Sequence, residues 1–148
     1  MKKIIAIILL SIPFFCFSQE KRHKFNFDFA LIFGGCFHND SVSINLNGVN
    51  IISNVILETN IVGSANFSVS QDRNNLLVKS QDKITKLKRI DLKQPLNFQI
   101  FVNNRRTEFT FSIKNGRVLY AENCPIEGDS KRVKVLKVIQ QDSPVMFF

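Results

Sequence analysis

No tryptophan occurs among the 148 residues, which include one tyrosine, two histidines and three cysteines. Each shortage closes a door. Aromatic platforms for stacking sugar rings are usually tryptophan or tyrosine, and only Tyr120 is on hand. A small outer-membrane barrel, the alternative to a soluble all-β fold, needs strands of about 9–11 residues and aromatic girdles at both interfaces. A zinc site needs three or four converging nitrogen and sulfur donors. His23 lies in a basic leader, so His38 would have to recruit Cys36, Asp40 and Cys124. No metal or cofactor is expected. The Gly-x-Ser-x-Gly elbow of serine hydrolases is absent. So is a phosphate-cradling loop, since Gly34-Gly35 follows an alternating segment and opens no helix. No internal repeat and no low-complexity segment is found.

Long apolar runs are missing too, with one short exception. Lys2 and Lys3 precede Ile4–Leu10, and after Ser11 the run resumes as Ile12–Phe17 with Pro13 inside it. Spanning a bilayer takes roughly 18 or more apolar residues. A charged start, a short apolar centre and small residues at the end form a secretory signal peptide. Residues 1–18 are assigned to it and residues 19–148 to a single all-β domain. Cys16 raises the bacterial lipoprotein pattern, but Phe14 and Phe15 stand where that pattern has a small residue. The mature chain therefore carries no membrane span and works in the periplasm or outside the cell.

Removing Lys2 and Lys3 from a formal net charge of +8 leaves +6. That balance suits anionic envelope polymers or a protein partner. Nucleic acid fits poorly, because the phenylalanines sit on alternating core faces rather than among the basic residues. Candidate anion-binding residues are Lys83, Lys86, Lys88, Arg89, Arg105 and Arg106. Cleavage also leaves Cys36 and Cys124, an even pair that reads as one disulfide in an oxidising compartment.

What is plentiful is alternation. Phe25, Phe27, Phe29, Leu31 and Phe33 share one face, and Val42, Ile44 and Leu46 repeat the pattern. Asn47-Gly48 then predicts a two-residue hairpin pairing Leu46 with Val49 and Ile44 with Ile51. Asn54–Val62 reads as a further strand, followed by 67–70, 76–80 and, as a strand or irregular edge, 82–92. After Pro95, Leu96, Phe98, Ile100 and Val102 alternate, and Asn103–Arg106 turns the chain. Asn115-Gly116 predicts a second hairpin facing Ile113 with Val118 and Phe111 with Tyr120. Lys131–Gln140 is a β-branched strand and Val145–Phe148 a short last one. Eight to ten short strands without a confident helix make an antiparallel β-sandwich.

Function follows less directly. The leading expectation is a non-enzymatic binding or interaction module at the cell envelope or outside the cell. Its alternatives are a small secreted hydrolase with a site near Cys36–Asp40, where Cys, His and Asp share one loop, and a basic module attaching to anionic lipid or polysaccharide.

Overall fold

A computed structural model describes residues 27–80, 83–128 and 133–142. The signal segment, Phe25 and Val145–Phe148 lie outside them. Ten strands run in order: β1 Phe29–Phe33, β2 Asp40–Leu46, β3 Val49–Leu57, β4 Phe67–Gln71, β5 Asn75–Ser80, β6 Lys83–Lys88, β7 Leu96–Val102, β8 Arg105–Phe111, β9 Val118–Pro125 and β10 Lys134–Gln141. They build a six-stranded sheet, ordered β10-β9-β1-β4-β5-β6, and a four-stranded sheet, ordered β3-β2-β7-β8. The two pack face to face as an all-β sandwich. Two separate ladders, rather than one closed sheet, set the barrel alternative aside. No helix among the described residues is long and apolar enough to cross a membrane.

The core forms because the alternating apolar faces of both sheets turn toward each other. Phe29, Phe33, Phe37, Phe98 and Phe111 are fully buried. Phe29 of the larger sheet meets Phe98 and Phe111 of the smaller one at ring-centroid distances of 5.8 and 5.1 Å. Phe33 packs edge-on against Phe37 and Phe67. Strand β1 lies between β9 and β4, so Ala30 on its second face is buried as well.

Asn47-Gly48 turns as expected, with positive φ at both residues (49° and 78°) and Leu46 opposite Val49. Beyond it the expected register needs correction. Asn45 pairs with Asn50 and Ile44 with Ile52 rather than Ile51, because a bulge intervenes. A second irregularity, at left-handed Asn54, lets β3 continue unbroken to Leu57, so no separate strand spans 54–62.

The second expected hairpin does not form. Ile113–Asn115 make a 3-10 turn, Gly116 takes φ 124°, and the chain crosses to the other sheet. There β9 pairs with β1 in parallel and with β10 antiparallel, so the ladders are not all antiparallel. Phe111 stays in the smaller sheet while Tyr120 lies in the larger. The turn that does form lies earlier: Asn103 and Asn104 (φ 47° and 66°) join β7 to β8. Arg105 and Arg106 are thus the first residues of β8, not the hairpin tip.

A candidate ligand cleft between two sheet edges

The loop from Gly34 to Asp40 leaves β1 and enters β2, and most of the unusual side-chain chemistry gathers around it. Cys36, left-handed at φ 68°, bonds to Cys124 of β9 with an S–S distance of 2.08 Å. Thr59 holds the loop from the side, its hydroxyl donating to the Gly34 carbonyl and accepting from the Phe37 amide, both at 2.9 Å. His38 points outward, 68% exposed, with Nδ1 3.5 Å from Glu58 Oε1. Asp40 points the other way, between the sheets.

The Asp40 side chain is 5% exposed. A buried carboxylate requires hydrogen bonds and a counter-charge, and four elements supply them. The His38 backbone N–H donates to Oδ2 at 2.9 Å and the Asn103 side-chain Nδ2 to Oδ1 at 2.6 Å. Asn123 of β9 and the Lys134 ammonium of β10 both donate to Oδ2, at 3.1 and 3.0 Å. Burial pushes the Asp40 pKa up, but the His38 amide, Lys134, Asn103 and Asn123 together outweigh it and hold the carboxyl below its ordinary value. Asp40 thereby ties one sheet to the other.

Above this network opens a cleft of about 530 Å³, lined by Val102, Asn103, Arg105 and Thr107 on one lip and by Val133–Leu136 on the other, with Asn123 at the floor. It is the gap between β8 and β10, the facing edges of the two sheets. Arg105 spans its mouth, donating from Nη1 to the Lys134 carbonyl at 3.3 Å. At the far end Gln140 donates to the carbonyls of Ser112 and Gly116 at 2.5 and 2.8 Å. Among the described residues no acid lies within ion-pair distance of Arg105.

The six candidate anion-binding residues separate into two groups. Lys83, Lys86 and Lys88 sit on β6, the far edge of the larger sheet, with Lys86 and Lys88 on one face and Lys83 on the other. Arg89 follows them, 3.5 Å from Asp28. Arg105 and Arg106 stand across the molecule on β8, where Arg106 bonds to Glu108 on the outer face. Only Arg105 enters the cleft. Cys36, His38 and Asp40 radiate from their loop in three directions, and no group of three metal-ligating side chains occurs among the described residues. Lys134, Asn103 and Asn123 stand out only in three dimensions, because β2, the β7–β8 turn, β9 and β10 must meet before they share a partner.

No protein-family model matches the chain, and neither a curated protein nor a solved structure matches it. The cleft therefore stands on its own geometry.

Proposed function

We propose that this protein is an exported, non-enzymatic binding module that engages a partner at the cell envelope or outside the cell, through the cleft between β8 and β10. One observation carries the reading: the polar residues at this end of the sandwich shape a concave surface instead of presenting a reactive pair. Asp40 accepts from Asn103 on one lip and from Asn123 at the floor, while Arg105 and the apolar lip residues face outward. Export draws its support from the amino-terminal lysines and apolar run, and from a disulfide of the kind that persists in oxidising compartments.

The hydrolase reading has less to draw on. Both sulfurs are committed to the disulfide, and His38 faces away from Asp40. Electrostatic attachment to anionic lipid or polysaccharide draws on Lys86 and Lys88, which share a face of β6.

Site-directed photo-cross-linking in the native host separates the three. A photoreactive residue replacing Thr107 in the cleft should give a discrete adduct. One replacing Arg73, in the β4–β5 turn at the opposite end, should give none, and His38→Ala should leave the Thr107 adduct unchanged. Adducts of equal yield at both positions, or loss of the adduct in His38→Ala, would overturn the reading.

A further inference from the structure

The two edges of the larger sheet are protected very differently. Edge β6 carries lysine at three of its six positions, a common defence against strand pairing. Edge β10 is eight residues long and holds two lysines, of which Lys134 is turned inward onto Asp40. Val133, Val135 and Ile139 on and beside it are 37%, 47% and 37% exposed, and Ile126 beside them is 53% exposed. Hollows flank β10 on both faces: the cleft, which carries Arg105 and Lys134 and no acid, on one, and on the other a depression of about 450 Å³ lined by residues that include Glu122, Ile126, Glu127, Val135 and Lys137.

Among the described residues, the backbone of β10 is open along the same line. Ala30, Gly34 and Asn123 mark where β9 bonds to the β1 side, through the Arg117 and Ala121 carbonyls and the Asn123 amide. In β9 it is therefore Tyr120, Glu122 and Cys124 that bond across to Ile139, Lys137 and Val135. Lys134, Leu136, Val138 and Gln140 direct their N–H and C=O groups away from β9. Side chains close the two ends, Arg105 at Lys134 and Gln140 at Ser112 and Gly116. Between them, no bond between the β8 and β10 backbones joins the edges among the described residues.

We propose that Leu136–Val138 of β10 accepts a short, extended, acidic segment of a partner protein by strand addition. Main-chain bonds to Leu136 and Val138 supply the pairing, and the alternating side chains of the incoming strand reach the hollows on either face. Charge selects the partner. Among the described residues Arg105 stands at the mouth with no acid within ion-pair distance, Lys137 follows on the strand opposite Glu122, and the chain without Lys2 and Lys3 carries a net charge of +6. A second copy would bring the same charges to the same edge, whereas a strand bearing carboxylates meets Arg105. This rests on the reading of the protein as a binding module.

The test uses two blocked hexapeptides, one alternating valine with glutamate and one alternating valine with lysine, titrated into the labelled protein and followed by NMR. The glutamate peptide should shift and protect the Leu136 and Val138 amides, and the lysine peptide should bind at least tenfold more weakly. Val138→Pro removes an N–H that β9 does not use, so the ladder stays intact, and binding should weaken tenfold or more. Arg105→Glu, an exposed substitution, should reverse the preference between the two peptides. Lys88→Glu on β6 should change nothing. Equal binding of both peptides, perturbation at β6 instead of β10, or a concentration-dependent dimer abolished by Val138→Pro would overturn the proposal. If the hexapeptide fails while the cross-link at Thr107 persists, strand addition falls and the binding-module reading survives.

Discussion

Asp40 shows how one residue connects burial, charge and position. Its carboxylate accepts from four groups on separate elements, so replacing it strands several donors at once. Asp40→Asn leaves Lys134 without a counter-charge. Because that ammonium keeps 27% of its side-chain surface in water, the loss should be near the low end of a broken buried pair, about 3 kcal/mol at pH 7. The pH dependence follows from the direction of the shift. A carboxyl whose folded pKa lies below the ordinary value near 3.9 stabilises the fold fully above that value, and the contribution is lost as pH falls through the folded pKa. Asp72 and Glu108 are held low as well, by the Asn75 amide and by Arg106 respectively, so the wild-type curve is a composite. The difference between wild-type and Asp40→Asn stability, measured by denaturant unfolding from pH 7 to pH 2, isolates Asp40 and should shrink steadily below about pH 4. A constant difference across that range would mean that Asp40 acts through shape rather than charge.

Elements were legible where their signal was local and complete. Leu46-Asn47-Gly48-Val49 contains everything a tight hairpin needs, and it forms. Asn115-Gly116 offers the same dipeptide, yet β9 leaves for the larger sheet, where it is paired on both sides, by β1 and β10, instead of on one side by β8. The bulges at Ile44–Asn45 and Asn54 were equally invisible, since an extra residue in a ladder alters no alternation until the partner strand is known. The site was less legible still. Cys36 and Cys124 could be paired by counting, but Asp40, Asn103, Asn123 and Lys134 look like turn and surface residues in the sequence. Gln71 belongs to the same class. Fully buried, it donates from Nε2 to the Ile90 carbonyl at 3.0 Å and accepts from the Ile90 amide at 2.8 Å. Its side chain thus acts as a strand neighbour, fixing the β6–β7 crossover to β4. Gln71→Leu preserves bulk and removes both bonds, leaving the Ile90 N–H and C=O without partners. The cost should be about 2–4 kcal/mol, at 1–3 kcal/mol for each group left unsatisfied with some relief from water. Hydrogen exchange at the Ile90 amide should accelerate at the same time, and an unchanged rate there would show that the crossover is held elsewhere.

Across the whole molecule, two devices besides the Asp40 network fasten one sheet to the other, and they differ in kind. The phenylalanine core acts without direction, through area removed from water. The Cys36–Cys124 bond acts at one end, joining the loop that leads into the smaller sheet to β9 of the larger one across 88 residues of sequence. A link closing so long a loop should stabilise the fold by about 4 kcal/mol if its main effect is on the unfolded chain. It also shares its neighbourhood with Asp40: Cys124 follows Asn123, and Cys36 precedes the His38 amide that Asp40 accepts from. The two contributions should therefore not add. In a double-mutant cycle, removing the disulfide by Cys36→Ala with Cys124→Ala, and Asp40 by Asp40→Asn, should together cost less than the two separate losses. The difference should be at least about 0.5 kcal/mol, the threshold for sites that share partners. Strict additivity would mean that the bond constrains only the unfolded chain. A sub-additive result would instead assign the disulfide a second role in the folded state, holding the floor of the cleft in place while its lips remain open to a ligand.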